Sequence, residues 1–190
     1  QSCKVARYDR ASSTWSGATT LATSFCRGGG VVSIGNGDLL AVLSSRAGDR
    51  GLLWSRYEAD SNSWSTATSL WNAAGGYVPD VADSMDVASD GNGAVVVAWR
   101  GTGAQLDGVS VADYADAAGT WTVHTGIDGS TDTTRNIHAE MSANGAAALV
   151  WSRGLNDATE VRGATRVSGG AWVQASLSDA TESLGTMDID

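Results

Sequence analysis

Apolar and polar positions along the chain fall into a few recurring patterns. Three short apolar runs, Leu39–Leu43, Val95–Trp99 and Ala147–Trp151, each stand just after an Asn-Gly pair, at Asn36-Gly37, Asn92-Gly93 and Asn144-Gly145. After each run comes a segment of period-two alternation, such as Gly108-Val109-Ser110-Val111-Ala112-Asp113-Tyr114, and then a shorter one built on a Trp, such as Trp121-Thr122-Val123-His124. A continuous apolar run bounded by turn residues predicts a strand buried on both faces, and alternation predicts a half-exposed one. Asn-Gly tolerates positive φ, which predicts a tight hairpin between the segment before it, such as Ser84-Met85-Asp86-Val87-Ala88, and the apolar run. Each unit therefore reads as four antiparallel strands.

The units keep phase. Trp15, Trp64, Trp121 and Trp172 are 49, 57 and 51 residues apart, and Tyr8, Tyr57 and Tyr114 each precede their Trp by seven. The fourth unit has Arg166 near the place of the Tyr. From each Asn-Gly to the next marker Trp is 28, 29 and 28 residues, and Leu43, Trp99 and Trp151 each stand sixth after the Gly. A four-stranded unit of about 50 residues in tandem predicts an all-β chain with β-propeller architecture. The expected layout is one module over 1–190. It has a half blade at 1–22, blades at about 28–74, 80–128 and 134–178, and the first strand of a further blade at 184–190. In that last strand Met187-Asp188-Ile189 repeats Met85-Asp86-Val87. Joined tail to head, such a ring of about 3.5 to 4 blades lacks roughly one inner strand and leaves strand edges unpaired. Three explanations stand open: a piece of a longer propeller, copies that exchange strands through Met187, Asp188 and Ile189, or a degenerate first blade closed in another way.

Composition narrows the class. Gly is 24 of 190 residues, Trp 8, Phe 1 and Pro 1, which fits repeated turns and a repeated Trp and excludes collagen. Richness in Gly, Ser, Thr and Val disfavours a helical bundle, and the apolar content excludes disorder. No apolar stretch is long enough for a membrane-spanning helix. Twenty-one acidic against 12 basic residues give a net charge of −9, which disfavours nucleic acid and anionic membranes as partners. Cys3 and Cys26 fit a disulfide in an exported, extracellular protein, with two buried thiols as the alternative. Gln1 before Ser2 and Cys3 reads as a processed or excised N-terminus.

The unit Met85 to Trp99 resembles the repeats of large secreted bacterial proteins. Arg7-Tyr8 with Trp15, and Arg56-Tyr57 with Trp64, match the Arg-Tyr and Gly-Trp segments that continue those repeats. The resemblance implies an extracellular, sialidase-like or lectin-like propeller. It departs from the sialidase Asp-box, where the aromatic follows the Gly much sooner than Trp99 and Trp151 do. The arginine triad, tyrosine nucleophile and acid of sialidases have no counterparts that can be placed.

Candidate chemistry is sparse. His124 and His138 lack metal-ligand spacing, and no nucleophile elbow or phosphate loop occurs. Asp90-Gly91-Asn92-Gly93 and Asp128-Gly129-Ser130-Thr131-Asp132 superficially resemble calcium loops, but turn chemistry explains them, so no metal or other cofactor is expected. Trp15, Trp64, Trp121, Trp172, Trp99 and Trp151, with Tyr8, Tyr57 and Tyr114, hold repeated positions and are expected to pack between blades. Trp54 and Trp71 fall outside both sets and are the candidates for sugar stacking, with Arg56, Asp80 and Asp83 as polar partners. The expectation is a non-catalytic extracellular module that binds a glycan or cell-surface polymer. One alternative is a structural subunit of an extracellular oligomer or filament built by strand exchange, partnered by further copies of itself or by the rest of a longer parent chain. The other is a glycoside hydrolase, for which Asp86, Glu140, Asp188 and Asp190 would have to converge at the axis.

Overall fold

The structure, a computed structural model, describes residues 2–23, 26–45, 51–72, 85–101, 108–128, 134–154 and 160–178. All regular structure among these residues is β-strand, and every pairing is antiparallel. Sheet one is two short ladders, β1 (Cys3–Val5) on β4 (Thr19–Ala22) and β2 (Tyr8–Asp9) on β3 (Thr14–Trp15). Sheet two holds β5 (Cys26–Gly35), β6 (Asp38–Ser45), β7 (Gly51–Glu58), β8 (Ser63–Trp64) and β9 (Thr68–Asn72), with β8 and β9 both on β7. Sheet three is β10 (Met85–Ser89), β11 (Ala94–Gly101), β12 (Gly108–Ala115) and β13 (Thr120–His124), in that order. Sheet four is β14 (Thr134–Met141), β15 (Ala147–Arg153), β16 (Glu160–Arg166) and β17 (Val173–Ser176).

Sheet one copies the outer half of sheet two. The Ser16 amide donates to the Arg7 carbonyl at 2.7 Å, as the Ser65 amide does to Arg56 at 2.8 Å. The Arg7 amide donates to Ser16 Oγ at 2.9 Å, as the Arg56 amide does to Ser65 Oγ at 3.0 Å. β1 and β2 thus correspond to β7, and β3 and β4 to β8 and β9.

The apolar runs are explained by packing on two sides. In β11, Val95, Val97 and Trp99 meet sheet two while Val96 and Ala98 meet sheet four, and all five are fully buried. Burial of each large side chain contributes about 1.5–3 kcal/mol. β15 has a neighbour on one side only: Ala147, Leu149 and Trp151 join the core, while Ala148 and Val150 are half-buried. The sheets follow one another in sequence order, with first strands β5, β10 and β14 side by side. Gly30 makes the first of these approaches possible, since a Cβ there would come within 3.0 Å of Val87.

The Asn-Gly turns are not alike, which corrects the expectation of three tight hairpins. Asn36 and Gly37 both have positive φ, 53° and 84°, and close a two-residue turn. At the second site the ladder ends at Ser89 opposite Val95, so the turn is longer. There the Asp90 carboxylate accepts the amides of Asn92 at 2.7 Å and Ala94 at 3.0 Å, a side-chain cap that replaces the tight turn. The third turn uses Asn144, whose Oδ1 accepts the Ala146 amide at 3.1 Å.

Candidate functional site

The repeated Tyr and Trp are direct cross-strand partners. Tyr8 faces Trp15, Tyr57 faces Trp64 and Tyr114 faces Trp121, with ring centroids 5.4, 5.5 and 5.0 Å apart. Such tilted pairs contribute about 0.5–1.5 kcal/mol beyond the area they bury. In sheet four Arg166 takes the place of the Tyr, its guanidinium 5.4 Å from the Trp172 ring.

From sheet two onward each pair is covered by a polar group of the preceding sheet. Arg7 lies 5.3 Å from the centre of the Tyr57 ring and donates to Asn62 Oδ1 at 3.1 Å. Arg56 donates to Asp38 at 2.6 Å within its own sheet and to Asp116 at 2.5 Å in the next. The Ala59 amide and Arg56 hold the Asp38 carboxyl below its ordinary pKa. Burial, then the Asp116 carboxylate, push the Tyr114 hydroxyl up. Asp113, in the same register position as Arg56, reverses the polarity and accepts from Arg166 at 3.2 Å, with His124 Nε2 at 3.0 Å.

The first pair is different. Tyr8 is 48% and Trp15 68% exposed, because no described sheet lies on their side of sheet one. The half sheet that carries them, residues 1–22, holds Lys4, Arg7 and Arg10 against one acid, Asp9, in a chain of net charge −9. Lys4, Arg7 and Arg10 are all exposed. The result is an open aromatic pair with cationic neighbours at one end of an acidic molecule. Sequence reasoning placed Tyr8 and Trp15 with the packing residues, because their repeat position is architectural. The signal that separates them is the missing inner half of their unit, which leaves the pair with nothing to cover it.

The residues expected to bind lie elsewhere. Trp54 is half-buried, 5.5 Å from Tyr114 and 6.1 Å from Trp121, and Trp71 lies 5.6 Å from Trp99. Both pack against the core between sheets two and three. Arg56 is engaged in its two ion pairs. Asp80, Asp83, Met187, Asp188, Ile189 and Asp190 lie outside the described residues. Asp86 accepts the Val87 amide at 2.8 Å and, across to sheet four, the Ala139 amide at 2.9 Å. Asp90 is a turn cap, and Asp128 accepts Trp151 Nε1 at 2.8 Å and Arg153 at 3.3 Å. No group of three or more His, Cys, Asp or Glu side chains among the described residues is placed to hold a metal ion. Cys3 and Cys26 are joined in a disulfide that ties β1 to β5.

No protein-family model matches the sequence, and no curated protein matches it. Solved structures do. One is an ulvan lyase from a new family of polysaccharide lyases, bound to -[GlcA(1-4)Rha3S]-, at a TM-score of 0.57 and 12% identity. The same kind of enzyme without that ligand in its description matches at 0.56 and 12%. Each match covers 83% of this chain and 45% of the other, so the chain spans less than half the length of those structures. The likeness is one of all-β fold.

Proposed function

We propose that the chain is an extracellular β-propeller module of about 3.5 to 4 blades that binds an acidic polysaccharide without transforming it, and that the four sheets are consecutive blades. The observation that carries this reading is the uncovered Tyr8–Trp15 pair with Lys4, Arg7 and Arg10 around it. Aromatic faces stack on the apolar face of a pyranose, and the cations suit a uronate carboxylate or a sulfate. Support comes from the fold likeness to polysaccharide lyases, one of them described with a glucuronate- and sulfate-bearing ligand. The disulfide fits an oxidising compartment. Absence of catalysis is favoured by the use of Asp86 as a cap for two backbone amides. No cofactor is invoked.

The test is titration of the chain with uronate-containing and sulfated polysaccharides. Trp15→Ala is expected to weaken binding by at least about tenfold while leaving the melting temperature in place. Equal binding by Trp15→Ala, or no binding by the unaltered chain, would overturn the reading.

A second reading, a structural subunit assembled by strand exchange, is favoured by a separate observation. Val31 in β5 is 51% exposed, and Leu39 and Leu43 in β6 are half-buried. The matching register positions in the other sheets are closed: Val95 and Trp99 are at 0%, Ala139 at 5%, Ala147 at 4% and Trp151 at 0%. Light scattering on the unaltered chain tests that reading, which requires more than one copy per particle.

A further inference from the structure

Sheet one leaves a gap that the rest of the molecule defines in detail. β7 pairs with β6, β12 with β11 and β16 with β15, but β1 and β2 pair only outward, with β4 and β3, among the described residues. The strand edge that should carry an inner partner is open. Behind it lies the uncovered face of sheet two, at Val31, Leu39 and Leu43.

A third feature concerns a backbone amide. Ala139 and Val31 hold the same register position in the first strands β14 and β5, opposite Leu149 and Ala41. The first strand is the edge of its sheet, so alternate amides point away from the ladder and need an acceptor. Ala139 obtains one from Asp86 of the preceding sheet, at 2.9 Å, and the same carboxylate caps Val87, the equivalent residue of sheet three. Val31 follows Gly30, which has no side chain, and no described sheet stands before it to supply a carboxylate.

We infer that this gap is a docking site for a β-hairpin supplied by a second polypeptide and made like the inner half of the repeat. Its second strand, an apolar run, pairs with the open edge of β1 and β2 and covers Leu39 and Leu43. Its first strand carries an acidic residue in the position of Asp86, and that carboxylate accepts the Val31 amide. Main-chain pairing supplies the affinity, while the acid and the apolar run supply the selectivity. The inference deepens the strand-exchange reading and rests on it. The tail of this chain has the required first-strand pattern, since Met187-Asp188-Ile189 repeats Met85-Asp86-Val87.

The probe is a synthetic peptide of residues 84–99, which contains both strands of such a hairpin, titrated into the full chain by calorimetry with hydrogen exchange as a second readout. The expected result is one-to-one binding that slows exchange at Val31 and along β1 and β2. Asp86→Asn in the peptide is expected to weaken binding by about tenfold or more, because a charge-assisted hydrogen bond is lost. That change leaves the protein untouched. Val31→Asp in the protein, at an exposed position, is expected to abolish binding. Absence of binding, or equal binding by the Asp86→Asn peptide, overturns the inference. Binding seen only after residues 184–190 are deleted also overturns it, because the chain's own tail would then be the occupant. A chain that scatters as several copies yet ignores the peptide would keep the assembly reading and reject this site.

Discussion

Equivalent residues do unequal work in neighbouring sheets. Trp99 and Trp151 hold one register position and are both fully buried. Trp151 Nε1 donates to the buried Asp128 at 2.8 Å, whereas Trp99 Nε1 finds no acceptor among the described residues. Leaving a buried acceptor without its donor costs about 1–3 kcal/mol, while removing an N–H that has no partner does not. Trp→Phe at the two positions removes the same atoms. Chemical denaturation should therefore find Trp151→Phe less stable than Trp99→Phe by about 1–3 kcal/mol. Equal losses would mean that the Asp128 contact contributes nothing. The repeat is visible in the sequence at this scale, but the difference is not: Asp128 precedes Trp151 by 23 residues and reaches it only through folding.

Between elements, the sheets are latched by side chains at corresponding positions: Arg7 on Asn62, Arg56 on Asp116, and Asp113 on Arg166. The Arg56 latch also holds Asp38, whose carboxyl is depressed by the Ala59 amide and then by Arg56. A carboxyl depressed in the folded state adds stability above its unfolded pKa of about 4, and that stability is lost as pH falls through the lower folded value. Melting temperature should thus fall as the solution is acidified below about pH 4. Asp38→Asn should melt lower at neutral pH and show a shallower decline in acid. A decline parallel to that of the unaltered chain would remove Asp38 from the latch. The elements themselves were largely legible. Period-two alternation marked β12, the apolar run marked β11, and a spacing of seven made Tyr114 and Trp121 partners. The division of the outer strands into β3 with β4, and β8 with β9, was not legible, because local strand pattern does not report where a ladder breaks. Nor was the role of Trp54, which fills a space between sheets that exists only after stacking.

The whole molecule is close to a one-dimensional stack, in which each sheet rests chiefly on its neighbours and stability is a sum of local interfaces. Sheet one is the weakly held end. Its described ties to sheet two are the Cys3–Cys26 disulfide, the Arg7 contacts with Tyr57 and Asn62, and an Ala67 amide donating to the Leu21 carbonyl at 3.4 Å. The disulfide closes a sequence separation of 23 residues. A loop of that length is worth about 3 kcal/mol by the chain-entropy estimate, enough to decide whether this end stays docked. Reduction, or the pair Cys3→Ser and Cys26→Ser, should therefore release sheet one by local opening and leave the distant sheets intact. Hydrogen exchange should quicken over β1–β4 while β11, β12, β15 and β16 keep their protection. Because Tyr8 and Trp15 ride on that sheet, polysaccharide binding should fall in the same samples. Uniform loss of protection across all four sheets would show one cooperative unit instead, and unchanged exchange at β1–β4 would show that the Arg7 latch suffices to hold them.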